Sequence, residues 1–279
     1  MGTFAGHVIP GVAFILLGLW HTVSTVFSYK TSIASHEIFQ SRIWYPIHCF
    51  KHMELLSILG FSILAIASDI IDYHSFHLSL SLLGSEHIVI FLHIIVYAFF
   101  ALVFDLVIDK ELGLIHPLLG LLASSAFGQE LFIFHFHSAD HVGLEGHYHW
   151  LLQLIIFISL VSTLGSTAVP SSFMAAIVRS VSLLFQGLWF VAMGFVLWGP
   201  GTGAYSNLGV NNDHESLARG STVALNRAQS LANLQFSLIL AGIWVFVGFL
   251  SLKFLRTVCM DYRRINEERT KHSQNDGAV

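Results

Sequence analysis

Charged residues are scarce in this sequence, because Asp, Glu, Lys and Arg together make up only 11% of its 279 residues. In a soluble domain about a quarter of the residues are normally charged, so the composition excludes an ordinary soluble fold. The formal net charge of −4 gives no reason to expect a nucleic-acid partner. Cysteine is also rare: Cys49 and Cys259 are far apart and form neither a disulfide framework nor a CxxC metal site.

Motifs of several enzyme classes are missing as well. The Gly-rich run at 199–203 lacks the Lys-Ser/Thr pair of a phosphate-binding loop. The Gly-x-Ser-type sequences lack the strand–turn–helix setting of a nucleophile elbow. There is no HxxHH box of the kind that integral di-iron hydroxylases and desaturases need. The sequence therefore gives no support for nucleotide-dependent, serine-hydrolase or di-iron chemistry.

Long apolar runs take the place of these features. Hydrophobic residues make up 54% of the chain, and the mean hydropathy is +0.70. Many runs reach the roughly 20 residues that cross a bilayer core. The predicted spans are Val8–Ser28, His48–Ile70, His87–Ile108, Leu114–Phe134, His149–Val169, Phe173–Trp198 and Leu231–Leu255. The sequence thus predicts an all-α, polytopic bundle of seven transmembrane helices in the lipid bilayer of the plasma membrane or the endomembrane system.

Lysine and arginine predict the orientation of this bundle. Eleven of the thirteen fall on one side of the seven spans, and only Arg219 and Arg227 fall on the other. By the positive-inside rule the N-terminus is non-cytosolic and the C-terminus is cytosolic. We therefore expect a transmembrane domain over residues 1–255 and a disordered polar cytosolic tail over 256–279. The Gly-, Asn- and Ser-rich link Gly199–Ser230 is expected to be a flexible loop.

Histidine is unusually abundant, with seventeen residues against thirteen lysines and arginines. Ten lie at the predicted non-cytosolic loops and helix ends, five of them within one stretch of fifteen residues. In that stretch His137, His141, Glu145 and His149 are spaced by four, so a helix would present them on one face. Because Gly143 and Gly146 interrupt the stretch, a helix–turn–helix with converging imidazoles is the expected geometry.

This histidine pattern is typical of a metal site. Imidazoles with a carboxylate suit zinc, iron or copper better than calcium or magnesium, and zinc is the first expectation. The expected ligands are His137, His141 and His149, with Glu145, His87 and His7 as further ligands or as residues that orient them. Binding should weaken below about pH 6, because only neutral imidazole binds a metal. The alternative is an interfacial loop whose histidines and aromatics prefer the headgroup region.

A second group of polar side chains lies within the predicted spans, where an ionisable group is costly without a partner. Its members are Glu54, His21, His93, Glu130, Gln186 and Gln235. The two glutamines are expected to hold helices together by hydrogen bonds. The two glutamates are harder to explain by packing.

Several motifs resemble the transmembrane protein 45 family in its plant branch. They are Gly6-His7-Val8-Ile9-Pro10-Gly11, His135-Phe136-His137-Ser138-Ala139-Asp140-His141, Tyr148-His149-Trp150-Leu151-Leu152-Gln153 and Phe185-Gln186-Gly187-Leu188-Trp189. The resemblance runs from the N-terminus to the seventh span. It implies a seven-helix membrane protein and one functional region that includes His7, Glu54, His87 and the histidine motif. It supplies no reaction and no catalytic residue.

Other functions stay open beside metal binding. His137 and His141 form an HxxxH, which also occurs in membrane enzymes that modify lipids, although zinc-dependent seven-helix lipid hydrolases carry it in their last helix. The intramembrane polar residues fit an ion, metal or proton transporter, and the histidines fit a pH-sensing scaffold or receptor. The sequence favours a non-enzymatic role over an enzyme. It leaves homo-oligomerisation open and identifies no small-molecule or lipid ligand.

Overall fold

The described residues form seven helices. The computed structural model describes the backbone of residues 3–47, 50–75, 82–107, 115–138, 143–199 and 214–276. Within these ranges it describes the side chains of 3–47, 50–71, 87–107, 115–136, 143–199, 222–254 and 256. The helices are α1 (Phe4–Ser35), α2 (Met53–Ser75), α3 (Leu82–Val107), α4 (Ile115–Ser138), α5 (Gly143–Ala168), α6 (Phe173–Trp198) and α7 (His214–Asp276).

Each predicted span overlaps one of these helices, and all seven are long and apolar enough to cross a membrane. The described ranges contain no strand. The predicted all-α multi-pass fold is therefore confirmed. Which end of the bundle faces the cytosol stays a prediction.

The seventh helix departs most from the sequence prediction. It begins at His214, so the flexible loop predicted over Gly199–Ser230 is wrong in its second half. Apolar residues become continuous only near Leu231, and hydropathy therefore located the span but not the start of the helix. The residues in between are mostly compatible with a helix, and Gly220 is the only glycine or proline among them.

The same helix continues beyond Leu255 as far as Asp276, where the sequence predicts a disordered tail. This stretch is rich in Arg and Glu, which are good helix formers. It also places opposite charges four residues apart, as in Arg264 with Glu268 and Glu267 with Lys271. The backbone is helical here, while the division into a transmembrane domain (1–255) and a cytosolic tail (256–279) stays a prediction.

Two apolar clusters fill the bundle. The larger joins α1, α3, α4, α5, α6 and α7 around the fully buried Trp189, Met193, Leu152 and Ile156. The smaller joins α2, α3 and α4 around Leu55 and includes Ile43 from the link between α1 and α2. Helices α3 and α4 therefore connect the two parts, and α7 lies against α1, α5 and α6.

Glycines allow α1 and α6 to pack closely. A Cβ atom added to Gly18 would lie 2.3 Å from the backbone nitrogen of Leu184, and one added to Gly187 would lie 2.4 Å from that of Ile15. No side chain fits at either contact, because real Cβ atoms do not approach other heavy atoms so closely. Small residues at such positions are how membrane helices bring their backbones together.

Candidate functional site

The start of α1, the end of α4 and the start of α5 lie together at one end of the bundle. We call this the histidine end. His149 is 2% exposed there, and its Nδ1 lies 2.9 Å from the carbonyl oxygen of Glu145, one turn earlier. A carbonyl oxygen only accepts, so Nδ1 carries the hydrogen. In the neutral ring Nε2 is then the nitrogen with the lone pair.

His7 from α1 meets His149 at this end. Its ring lies 6.1 Å from that of His149 between centroids and stacks on Trp198 at 4.1 Å. The His7 Nδ1 donates to the carbonyl oxygen of Thr3 at 3.0 Å, as His149 does to Glu145. Two imidazoles from distant parts of the chain are thus buried side by side, each with its Nε2 as the accepting nitrogen.

His87 from α3 approaches the same place from another side. It is 5% exposed, and its ring lies 6.3 Å from that of Phe134 on α4. The ring of His149 lies 6.1 Å from Phe134. Phe134 is therefore a shared neighbour of His87 and His149.

The structure describes only part of the remaining predicted ligands. Glu145 is half-buried one turn before His149, whereas His141 and the side chain of His137 lie outside the described residues. In the part of the chain that the structure describes, no three His, Cys, Asp or Glu side chains form a group able to hold a metal ion. The metal site stays a prediction.

Neighbouring residues of the motif connect α5 to α7 and α6. His147 Nε2 donates to Asn233 Oδ1 at 2.8 Å, and the Tyr148 hydroxyl donates to Gln235 Oε1 at 2.8 Å. The Trp189 indole donates to the Tyr148 carbonyl at 3.1 Å. Gln235 thus forms the interhelical hydrogen bond that its amide predicts.

Glu130 and Gln186 meet in the interior, between α4 and α6. Both are buried, with 4% and 0% of their surface exposed. Gln186 Nε2 donates to Glu130 Oε1, while Gln186 Oε1 is buried with no hydrogen-bond partner among the described residues. These two predicted intramembrane residues therefore form a pair.

Glu54 and His21 form a second buried pair. His21 Nε2 donates to Glu54 Oε1 at 2.9 Å. Glu54 Oε2 accepts from the Trp20 indole at 3.0 Å and from the Tyr45 backbone N–H at 2.9 Å. Three donors thus surround this carboxylate. His93 joins neither pair, because its Nδ1 bonds to the Val89 carbonyl of its own helix.

The resemblance implies one functional region with His7, Glu54, His87 and the histidine motif. This expectation is wrong for Glu54. Glu54 contacts Trp20 and His21, which lie about 20 Å along the α1 axis from His7 at the helical rise per residue. Glu54 therefore belongs to the opposite end of the bundle.

A segment without regular structure closes that opposite end. In this α1–α2 segment (residues 37–47) every second side chain from Phe39 to Tyr45 is buried, while Gln40 and Arg42 are exposed. The Ser41 backbone N–H donates to the Pro170 carbonyl at 2.7 Å. Alternating burial is the pattern of an extended strand, here enclosed by helices instead of a sheet.

Side chains from three helices bind the carbonyl groups of this segment. Arg179 donates to the Arg42 carbonyl and, at 3.0 Å, to Ser166 Oγ. His116 Nε2 donates to the Ser41 carbonyl at 3.1 Å, and the Tyr97 hydroxyl donates to the Ile43 carbonyl at 3.4 Å. Because helices supply no ladder of backbone partners, these bonds satisfy polar groups that would otherwise be buried unpaired.

The sequence analysis missed most of this cluster. It counted Arg179 only as one of the eleven lysines and arginines on the predicted cytosolic side, yet Arg179 is only 3% exposed. Its position about two turns into the apolar α6 was an available signal, since a charge there needs a partner. Ser41 and Tyr45 gave no signal, because nothing in residues 37–47 marks them as buried.

The fold defines an integral, multi-pass membrane protein, with seven helices in the described residues that are long and apolar enough to cross a membrane. Residues 116–252 match the model of a family described as "Family of unknown function (DUF716)". The match runs from the start of α4 into α7 and includes Glu130, His149, Gln186 and Gln235. Its description carries no activity.

Proposed function

We propose that this membrane protein is a member of the transmembrane protein 45 family and binds a transition metal ion, zinc first, at its histidine end. Two facts support the membership. The matched residues 116–252 contain the histidine motif and the Phe185–Trp189 motif on which the resemblance rests. The seven helices agree with the fold that this family implies.

The observation that carries the metal proposal is the meeting of His7 and His149. Both are buried, and both donate Nδ1–H to the carbonyl oxygen of the residue four positions earlier in the chain. This bond orients the ring and leaves Nε2 as the ligand atom, which is how protein carbonyls prepare metal-binding histidines. Stacking on Trp198 also fixes the ring of His7.

The ligand set in this proposal is His137, His141 and His149. His7, His87 and Glu145 either complete it or orient it. Three nitrogen ligands with a fourth open position are the usual arrangement of catalytic zinc, and four ligands that of structural zinc. Because His7 approaches His149 from α1, a bound ion would also connect the N-terminal helix to the α4–α5 hairpin.

The test is elemental analysis of the detergent-purified protein, supplied with zinc, iron and copper and then freed of loosely bound ions. We expect about one ion per chain in the wild type. The triple variant His137→Ala, His141→Ala, His149→Ala should lose it while keeping the size-exclusion profile of the wild type.

His93→Ala is the matched control, because His93 is also a membrane histidine and, among the described residues, its hydrogen bond is to the Val89 carbonyl of its own helix. It should retain the ion. The proposal fails if the wild type holds no ion after loading, or if the folded triple variant holds as much as the wild type.

A further inference from the structure

Gln186 presents an unusual buried atom in the interior of the bundle. Its side chain is 0% exposed and lies near the midpoint of α6, and its Oε1 has no hydrogen-bond partner among the described residues. Leaving a buried acceptor unpaired costs free energy, so such an atom in a membrane interior calls for a donor. The other end of the same amide, Nε2, donates to the carboxyl of Glu130.

The surroundings of Glu130 differ from those of Glu54. The carboxylate of Glu54 collects three N–H donors, which is an arrangement suited to a charged acceptor. Among the residues that the structure describes, Glu130 receives one donor, from a neutral amide, and its helix neighbour Phe134 belongs to the apolar cluster. No ion pair of Glu130 occurs among the described residues.

Ionisable groups on the helices packed around Glu130 are engaged elsewhere. His149 and His87 flank Phe134, one turn of α4 toward the histidine end. On α3, His93 bonds to its own helix, and Tyr97 bonds to the α1–α2 segment.

The charged groups nearest along α1 and α6 are engaged as well. Arg179, about two turns before Gln186 on α6, bonds to Arg42 and Ser166. On α1, His7 bonds to Thr3, and His21 bonds to Glu54. None of these bonds brings a positive charge onto Glu130.

We propose that Glu130 and Gln186 form a proton-binding site in the middle of the membrane bundle. The proton binds to the second oxygen of the Glu130 carboxyl, and that O–H donates to Gln186 Oε1. The existing bond from Gln186 Nε2 to Glu130 Oε1 is kept. A carboxylic acid and a primary amide then hold each other by two hydrogen bonds in a closed ring, and the unpaired oxygen gains its donor. No covalent bond of the chain changes.

This site is independent of the proposed metal site. Neither Glu130 nor Gln186 belongs to the proposed ligand set. The imidazoles of His87 and His149 lie near Phe134, which is one turn of α4 further toward the histidine end than Glu130. A test in protein treated with EDTA therefore addresses the proton alone.

The test is infrared spectroscopy of the EDTA-treated protein in nanodiscs at neutral pH. A protonated carboxyl has a carbonyl stretch distinct from that of a carboxylate, and it shifts when its O–H loses an acceptor. We expect a protonated-carboxyl band in the wild type that Glu130→Gln removes. Gln186→Leu should keep the band but move its frequency. Glu37→Gln, which alters an exposed carboxyl, should leave the band unchanged.

A wild type without such a band, or a band that persists in Glu130→Gln, would overturn the proposal. So would a folded Gln186→Leu variant whose band keeps its frequency. Glu130→Gln preserves the size of the side chain, so its spectrum decides the proposal even where Gln186→Leu does not fold.

Discussion

The Tyr45 hydroxyl begins a directed chain of hydrogen bonds between the α1–α2 segment and the helices. Ser180 Oγ donates to the Ala176 carbonyl at 2.9 Å, so it must accept from Thr25 Oγ1, 3.0 Å away. Thr25 has one hydrogen, and it therefore accepts from the Tyr45 hydroxyl at 2.9 Å. Because the Ala176 carbonyl can only accept, the Tyr45 hydroxyl at the other end of this series of hydrogen bonds must donate. Burial agrees with this role, because desolvation raises the pKa of the Tyr45 phenol.

Tyr45→Phe should lower the stability of the protein by about 1 kcal/mol at neutral pH, the usual net value of one hydrogen bond. Because the pKa of Tyr45 is raised by folding, the folded state keeps a proton that the unfolded state releases above about pH 10. The wild-type advantage is therefore full below that pH and shrinks as the pH rises through it. Unfolding by SDS at a series of pH values measures both effects.

Tyr29→Phe is the control for this variant, because Tyr29 also lies in the bundle and its ring stacks on Phe173. The stacking does not need the hydroxyl, so the control should cost less than Tyr45→Phe at neutral pH. A wild-type advantage over Tyr45→Phe that grows above about pH 10 would contradict the direction of the pKa change.

The sequence identifies a residue of the polar clusters where that residue interrupts an apolar run. Glu54, Glu130 and Gln186 stand out because a polar group in a span needs a partner, and each has one in the structure. The identity of the partner was not predictable, since it depends on how helices distant in sequence are packed. Tyr45 could not be found, because its burial arises from the bundle that encloses it.

At the level of helices, the α1–α6 contact depends on glycines spaced by seven, about two turns, on both helices. Gly11 and Gly18 face α6, and Gly187 and Gly194 face α1. Seven residues return to nearly the same side of a helix, so each pair lies on one face. The apolar runs predicted both helices, but which run would pack against which was not readable from them.

Gly18→Ala and Gly187→Ala should each destabilise the bundle by about 1–3 kcal/mol, the usual cost of overpacking. The reason is that the new Cβ would meet backbone nitrogen atoms, which cannot move without separating the helices. Gly60→Ala is the control, since its Cβ meets no atom within 4 Å. It should be neutral or gain stability through helix propensity. Thermal unfolding in detergent compares the three variants, and equal stability of Gly18→Ala and Gly60→Ala would exclude this packing.

For the whole molecule, the two ends of the bundle differ in chemistry. The histidine end brings imidazoles and aromatic rings together, whereas the opposite end holds the α1–α2 segment with Arg179, Glu54 and His116. Because Arg179 is buried, it should not count as an interfacial charge. Removing it from the eleven lysines and arginines on the predicted cytosolic side leaves ten against two. The charge asymmetry therefore still predicts that the end with the α1–α2 segment is cytosolic and that the histidine end is non-cytosolic.

Added glycosylation sites test this orientation, since the sequence contains no Asn-x-Ser/Thr of its own. Gly209→Thr creates a site at Asn207, between α6 and α7, and Gly277→Thr creates one at Asn275, near the C-terminus. Glycosylation occurs only on the lumenal side, so the predicted orientation requires a glycan on the first variant and none on the second. Expression in eukaryotic cells, with and without endoglycosidase, shows this as a mobility shift. The reverse pattern would place the histidine end in the cytosol and contradict the orientation that the positive-inside rule predicts.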